Sequence, residues 1–158
     1  MPDNPRHTTE EWANEIVAIA RSMNGTPFHH QGRSPGVGLD CTGLVMAVLK
    51  QLMVPYKEKF DYSEIVDDAV SREMGEWLIE TMMPIRLDDA GPGDVLWLWV
   101  HRRNLGTHLA LLTEGSYRMI HAVRDPSIYR VVEQSMGKFW SKRVVQAFRI
   151  PQPNGDRR

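Results

Sequence analysis

The fold of this chain is decided by the stretch Asp40–Leu52, DCTGLVMAVLKQL, which predicts a buried helix with a cysteine in its first turn. Apolar side chains surround most of the circumference of that helix, a pattern typical of a helix enclosed by a domain core. The preceding residues 29–40 are rich in Gly, Pro and Ser and predict a loop. Asp40 suits the cap position, because its carboxylate can accept hydrogen bonds from the free N–H groups of a first turn.

Cys41 is the only cysteine in the sequence, which excludes an internal disulfide and a multi-thiolate zinc site within one chain. Free cysteines are among the most buried residue types and usually act as small apolar side chains. At a helix N-terminus, however, the free N–H groups and the partial positive charge lower a thiol pKa and can hold an oxyanion. The position of Cys41 therefore leaves a buried role and a nucleophilic role both open.

Helices are predicted on both sides of this stretch. Thr8 begins a capping box, and apolar residues then recur at the spacing of an amphipathic helix over residues 8–23: Trp12, Ile16, Val17 and Ala20. Residues 61–83 predict one or two further helices, capped near Asp61 or Ser63 and ended by a proline. Helices therefore come first along the chain.

Strands are predicted to follow from residue 95 onward. The segments of strand length are residues 95–100, 108–113, 116–123, 128–133 and 143–150, with Phe139-Trp140 on a short turn or helix. Helices followed by strands are the pattern of an α+β fold with a segregated antiparallel sheet. A chain of 158 residues fits a single domain, here residues 1–150, with a polar tail at residues 151–158 that we expect to be disordered.

His108 and His121 lie on the two strands of a predicted hairpin. If Glu114-Gly115 forms a two-residue turn, Thr113 pairs with Ser116 and His108 lies directly opposite His121, with Cβ atoms ~4.5–5.5 Å apart. One imidazole would then hydrogen-bond the other and fix its tautomer, as the third member of a triad does. A bulge would break this pairing. The pair alone suits a catalytic, a metal-binding or a structural role equally well.

Composition and motifs exclude several classes of function. A net charge of −1 gives no basic footprint for nucleic acid or for an anionic membrane surface. No apolar run approaches the ~20 residues of a membrane span, so we expect no membrane insertion. The opening residues MPDNPRHTTEEW lack a signal-peptide pattern, from which we expect synthesis in the cytoplasm. Residues 36–41 imitate a dinucleotide-binding fingerprint, but a cysteine stands at the third glycine position.

Short motifs spread along the chain resemble those of the NlpC/P60 cysteine peptidases in order and approximate spacing. The resemblance runs from about residue 12 to residue 150, and its motifs are Gly25-Thr-Pro-Phe28, Asp40-Cys-Thr-Gly-Leu-Val45, Pro92-Gly-Asp94, His108-Leu-Ala-Leu-Leu112 and Ile120-His-Ala122. The cysteine motif is fairly specific, and the two spaced histidines strengthen it. The His-Gln-Gly that follows the first motif is most like the phage-type cell-wall peptidases found with tail genes and gene transfer agents.

This resemblance implies a papain-like α+β fold, with N-terminal helices packed on an antiparallel sheet. The family cleaves peptide stems of peptidoglycan, commonly the bond between D-γ-glutamate and a diamino acid. By motif matching, Cys41 is the expected nucleophile, His108 its base and His121 the residue that orients the base. His108 would take the thiol proton or form an ion pair with the thiolate. The resemblance implies no metal and no cofactor.

One departure from the family pattern bears on the oxyanion. The family often has tyrosine where Phe28 stands, and that hydroxyl is thought to assist the oxyanion or the substrate. Phe28 has no hydroxyl, which leaves more to the backbone N–H of Cys41. Contacts to the substrate or the oxyanion are then expected from the neighbouring candidates Phe28, His29, His30 and Asp40.

The resemblance leads to an active endopeptidase as the first hypothesis. It would be carried by a phage-like particle, contact tail hub or tip proteins, and act in the periplasm or cell wall. The alternative is a structural tail-tip or hub component of the same fold with little or no activity. Phe28 mildly favours that alternative, whereas the intact Cys/His/His set opposes it. An acyltransferase or amidase on the same fold is a third hypothesis, which the motifs alone leave open.

Overall fold

The computed structural model describes residues 9–58, 62–64 and 67–153. In chain order its elements are α1 (Thr9–Ser22), β1 (Arg33–Ser34), β2 (Gly38–Leu39), α2 (Cys41–Gln51), α3 (Asp68–Thr81), β3 (Met83–Ile85), a 3-10 turn (Leu87–Asp89), β4 (Val95–Trp99), β5 (Gly106–Glu114), β6 (Arg118–Ala122), β7 (Val131–Ser135), α4 (Gly137–Ser141) and β8 (Val144–Arg149). Helices precede the main strands, so the predicted α+β class is confirmed. Of the predicted tail, residues 154–158 lie outside the described ranges.

The main sheet separates two apolar clusters. Within the described residues it has six strands in the order β3-β8-β4-β5-β6-β7, all paired antiparallel. The larger cluster joins α1, α2 and α3 to one face of the sheet, through strand residues such as Leu109, Leu111 and Ile120. The smaller cluster contains Leu112 and Met119 and packs against Trp140 of α4. The core therefore lies mainly between the helices and the sheet.

The first two helices match their predicted patterns. The buried residues of α1 are the four apolar ones whose spacing predicts the helix, and Trp12 donates from its indole to the Ile150 carbonyl at 3.0 Å. Residues 42–49 of α2 are all buried, as its apolar circumference predicts. The capping role predicted for Thr8 falls outside the described residues. Within the described ranges, no helix has the length and apolar character needed to cross a membrane.

The start of α3 differs from the prediction. The helix begins at Asp68, and the carboxylate of Asp67 caps it by accepting a hydrogen bond from the Val70 N–H at 2.9 Å. Ser63 lies outside any helix, and Asp61 lies outside the described residues. The sequence offers several residue types that can cap a helix in this region. In the structure Asp67 is the cap, because its carboxylate reaches the N–H groups of the first turn.

The predicted direct pairing of the two histidines is wrong. The β5–β6 register pairs Leu111 with Ile120 and shifts by one residue before the turn. Continued along the strands, that register places His121 opposite Ala110 rather than opposite His108. The causes are a turn longer than Glu114-Gly115, closed by the Glu114–Arg118 pair with Gly115 at φ +49, and the register shift between Leu112 and Glu114. The two-residue offset still leaves both imidazoles on one face of the hairpin.

Candidate active site

A cavity of about 380 Å³ lies where the start of α2 meets β5 and β6. Cys41, His108 and His121 all line it, so the structure brings together the residues for which the sequence predicts catalytic roles. Residues 62–64 and the Phe139-Trp140 pair of α4 contribute further parts of the wall. The site is therefore assembled from segments that are distant in sequence.

Cys41 is the first residue of α2, and its thiol contacts the sheet. The Asp40 carboxylate caps the helix by accepting a hydrogen bond from the Gly43 N–H at 2.8 Å. The backbone N–H of Leu109 lies close enough to the Cys41 thiol to lower its pKa. Leu109 follows His108 on β5. This contact places the thiol beside the strand that carries the predicted base.

The surroundings of Cys41 hold its thiol in the neutral form. Burial raises the pKa of Cys41 to about 12, and the neighbouring Asp40 carboxylate adds to the rise. Hydrogen bonds from the Leu109 N–H and from Thr42 lower the thiol pKa but do not offset this rise. The sequence predicts a lowered pKa from the helix N-terminus. The structure differs because desolvation of the thiolate outweighs the hydrogen bonds at this position.

Hydrogen bonds connect His108, His121 and Gln134 across β5, β6 and β7. Nε2 of His108 lies 2.8 Å from Nδ1 of His121, and Nε2 of His121 lies 3.1 Å from the side-chain oxygen of Gln134. Burial lowers the pKa of His108 well below its ordinary value, and the neighbouring His121 adds to the lowering. Burial also lowers the pKa of His121, against a raising effect of Gln134. Both imidazoles are therefore neutral at neutral pH.

The indole of Trp140 packs on both imidazoles. It stacks on His108, with ring centroids 5.2 Å apart and planes inclined by 26°, and it meets His121 edge-on at 5.4 Å. Trp140 belongs to α4, where the sequence predicts a short turn or helix. Sequence reasoning gave Trp140 no role in the site. Its contacts oppose rotation of either imidazole ring.

Asp40 joins the loop before α2 to the helix itself. Besides its capping bond, its carboxylate accepts from the Gln31 N–H at 2.8 Å and from the Arg33 guanidinium at 3.1 Å. The Tyr62 hydroxyl donates to the same carboxylate. A carboxylate accepts hydrogen bonds and repels an oxyanion. The geometry therefore gives Asp40 a role in positioning Cys41, and not the oxyanion contact that the sequence had made a candidate.

Tyr62 connects a later segment of the chain to this loop. Its hydroxyl also accepts a hydrogen bond from Arg33 at 3.1 Å. Its backbone oxygen lies 3.1 Å from Nε2 of His30 and accepts from the Gln31 amide at 2.8 Å. Burial, together with the charge of Asp40, raises the pKa of Tyr62, so its hydroxyl remains protonated. Sequence reasoning missed Tyr62, because 22 positions separate it from Asp40 and no local pattern links them.

The remaining candidates for substrate contact separate into two groups. Phe28 and His30 line the cavity, and the Phe28 ring packs edge-on against Tyr129 at 5.5 Å. His29 does not line the cavity. Its side chain is exposed, and its Nδ1 lies 2.8 Å from the backbone oxygen of His30. The expectation of a substrate contact from His29 is therefore not met by the geometry.

The loop and α2 contact each other backbone to backbone. A Cβ atom on Gly43 would overlap the carbonyl oxygen of Gly32. A Cβ atom on Gly32 would in turn overlap the backbone of Gly38. The glycine of the cysteine motif is thus required by packing. This close approach fixes the position of Cys41 relative to the loop.

A metal centre finds no support in the described part of the chain. Across residues 9–58, 62–64 and 67–153, no three His, Cys, Asp or Glu side chains converge in a way that would hold a metal ion. The direct bond between His108 and His121 occupies one ring nitrogen of each. The two imidazoles therefore bond to each other rather than directing both nitrogens at a common point.

The chain is similar to known proteins in sequence and in structure. The family model described as the NlpC/P60 family matches residues 25–149. The solved NlpC/p60 domain of the peptidoglycan hydrolase SagA is 24% identical with a TM-score of 0.58, covering 88% of this chain and 97% of that domain. A Staphylococcus aureus protein of the NLP/P60 family, described as similar to a lipoprotein, is 21% identical with a TM-score of 0.61, covering 95% of this chain.

A Bacillus cereus protein of the NlpC/P60 family is also similar, at 18% identity and a TM-score of 0.66 over 89% of this chain. This chain spans 45% of the Staphylococcus aureus protein and 40% of the Bacillus cereus protein. A search of curated proteins by sequence finds no match. The structural likenesses show the fold, and the family match covers most of the chain.

Proposed function

Because the chain belongs to the NlpC/P60 family, we propose that it is a cysteine endopeptidase that hydrolyses peptide stems of peptidoglycan. The observation that carries the proposal is the Cys41 thiol, which lies against β5 in the cavity that the bonded His108–His121 pair also lines. A nucleophile, a base and a residue that orients the base are the parts of a triad. A solved domain of similar fold belongs to a peptidoglycan hydrolase, which supports this substrate class.

The mechanism begins from a neutral couple, because the pKa of Cys41 is raised and that of His108 is lowered. His108 takes the thiol proton while Sγ attacks the carbonyl carbon of the scissile amide and forms the C–S bond. The carbonyl oxygen becomes an oxyanion, which the backbone N–H of Cys41 stabilises. His108 then returns the proton to the leaving nitrogen as the C–N bond breaks. Water hydrolyses the resulting thioester, with His108 again as base.

The finer parts of the proposal follow from the resemblance to phage-type members of the family. The scissile bond would join D-γ-glutamate to a diamino acid. A phage-like tail would carry the enzyme from the cytoplasm to the periplasm or cell wall. Tail hub or tip proteins would then be its partners. The His-Gln-Gly that follows Phe28 is the sequence feature behind this part of the proposal.

A structural tail component of the same fold is the second candidate function. The observation that favours it is Phe28, which lines the cavity but brings no hydroxyl to an oxyanion. The Tyr62 hydroxyl does not replace it, because that group donates to Asp40. The enzyme proposal therefore relies on the first turn of α2 for oxyanion stabilisation.

The test is digestion of peptidoglycan and defined muropeptides by the purified protein, with products read by mass spectrometry. Cys41→Ala is the matched control, since it removes one sulfur atom from the cavity. We expect stem-peptide fragments from the wild type alone, and their masses would identify the bond. Fragments from both proteins would reject Cys41 as nucleophile. No fragments from either folded protein, across several wall chemotypes, would favour the structural role.

A further inference from the structure

Gln134 is a residue of β7 and the last member of the hydrogen-bonded series that runs from His108 through His121. Strand pairing sets Met119 opposite Gln134 and His121 opposite Val132. Gln134 therefore lies diagonally from His121 on the same face of the strand pair, within reach of its ring. Its side-chain oxygen is 3.1 Å from Nε2 of His121. Gln134 does not itself line the cavity, so any effect on chemistry passes through His121.

The donor and acceptor of each hydrogen bond between His108, His121 and Gln134 follow from which atoms can carry a proton. An amide oxygen carries no proton, so Nε2 of His121 must donate in its bond to Gln134. Burial lowers the pKa of His121, which leaves the ring neutral with a single N–H at neutral pH. Nδ1 of His121 is then without a proton. It must accept the hydrogen bond from Nε2 of His108.

The same reasoning identifies the basic atom of His108. Its ring is also neutral, because burial lowers the pKa of His108, and its single proton is on Nε2. Nδ1 of His108 therefore keeps a lone pair, with which it can take the proton of Cys41. If donors and acceptors were exchanged in these hydrogen bonds, the proton of His108 would be on its Nδ1. His108 would then be unable to act as a base.

We propose that Gln134 is a positioning residue whose side-chain oxygen fixes the tautomer of His121 and, through it, the basic nitrogen of His108. The effect on activity rests on the proposed cysteine peptidase function, whereas the placement of the two protons does not. Trp140 supports this assignment, because its packing on both imidazoles holds the ring orientations in which Nε2 of His108 faces Nδ1 of His121.

Long-range ¹H–¹⁵N spectra of the full chain test the proton placement, because they distinguish a protonated ring nitrogen from a bare one. Spectra are taken at about pH 8, above the ordinary histidine pKa. We expect the wild type to carry its protons on Nε2 of both His108 and His121. Gln134→Met removes the acceptor at similar side-chain volume, and both rings should then show a mixture of tautomers. Gln134→Glu supplies an acceptor again and should restore the wild-type pattern.

Turnover of a defined stem peptide gives the second readout. Gln134→Met should lower kcat at least about tenfold with KM unchanged, because a base in the wrong tautomer can cost ~10⁴ in rate. Gln134→Glu should recover most of that loss. Gln146→Met is the matched control on β8, where the amide donates to the backbone oxygens of Ile85 and Ala147. It should leave the spectra and kcat unchanged, and thermal melts verify the fold of every variant.

The outcomes separate this inference from the proposed function. A wild-type proton on Nδ1 of either histidine would overturn the inference, as would a Gln134→Met spectrum identical to the wild type. Expected spectra with an unchanged kcat in Gln134→Met would reject the positioning role. Expected spectra in a protein that cleaves no stem peptide would reject the peptidase and leave the proton placement standing.

Discussion

The two walls of the cavity hold their functional groups in different ways. The loop wall contains Asp40 and Tyr62 and is part of a charged network. In this network separate donors from Gln31, Arg33 and Tyr62 converge on the Asp40 carboxylate. The sheet wall is neutral, and its hydrogen bonds run in single file from His108 through His121 to Gln134, which lies behind the wall. Trp140 of α4 packs on the two imidazoles. One wall positions the nucleophile, and the other positions the base.

The difference between a converging and a serial arrangement predicts a difference in sensitivity to mutation. When one donor of the loop wall is lost, the others still hold the Asp40 carboxylate. When one link of the sheet wall is lost, the proton positions beyond it are no longer fixed. Activity should therefore respond more steeply to changes in the sheet wall, and stability to the loss of the carboxylate at the centre of the loop wall.

The largest expected effect is on the sheet wall. His108→Ala removes the base and should lower kcat/KM by about 10³-fold, within the range of general acid–base catalysis. His121→Ala removes the residue that orients the base and should cause a smaller loss. His29→Ala is the matched control, because that histidine is exposed and outside the cavity. A larger loss in His121→Ala than in His108→Ala would invert the two roles.

The next largest effect concerns the protonation state of the Cys41 thiol in the free protein. With the pKa of Cys41 raised from 9.0 to about 12, the thiolate fraction at neutral pH is about a thousandfold smaller, and the greater nucleophilicity of a more basic thiolate offsets part of this loss. Alkylation by iodoacetamide should therefore be about thirtyfold slower than that of an ordinary cysteine. The rate should rise with pH, since the thiolate fraction grows as pH approaches the thiol pKa. The same chain unfolded in urea is the control. A fast rate that is independent of pH near neutrality would show a thiolate–imidazolium pair.

Loss of the central carboxylate tests the loop wall. Asp40→Asn removes the charge that pairs with the Arg33 guanidinium at 3.1 Å, and its NH2 group cannot accept from the Gln31 N–H and the Tyr62 hydroxyl, which should cost about 2 kcal/mol in free energy of unfolding. Urea denaturation measures this change. Asp88→Asn is the control, because its ion pair with Arg86 is solvent-exposed and should contribute well under ~1 kcal/mol. Equal stability of Asp40→Asn and the wild type would contradict the converging network.

The smallest expected effect is the loss of one donor from that network. Tyr62→Phe removes a hydroxyl while the Gln31, Arg33 and Gly43 donors remain on Asp40. We expect a loss of about 1 kcal/mol in free energy of unfolding and a change in kcat/KM of less than about fivefold. A drop in turnover of about a hundredfold would mean that this hydroxyl contacts the reacting atoms.

Features that depend only on residues close together in the sequence could be predicted from it. Asp40 caps α2 with its own side chain, so the position of Cys41 in the first turn follows from local chemistry. The apolar spacing around Trp12 likewise placed α1. The hairpin register could not be predicted, because it depends on the length of the turn at Gly115 and on the register shift between Leu112 and Glu114. A one-residue change at that turn moves every pair along the strands.

Features that depend on tertiary contacts had no signal in the sequence. Tyr62 and Gln134 reach the site from segments that no motif connects to Cys41 or His108. The thiol pKa was expected in the wrong direction for a related reason. The helix N-terminus is visible in the sequence, whereas the burial that raises the pKa of Cys41 appears only when β5 packs against it.

The contact between Gly43 and Gly32 has a consequence for how this domain can diverge. A duplicated copy released from selection for activity could replace Cys41 by serine or alanine, since neither exceeds the space that the thiol occupies. The same copy could not accept a side chain at Gly43 without separating the loop from α2. In a lineage that drifts toward a purely architectural role, the glycine of the motif should therefore outlast its nucleophile.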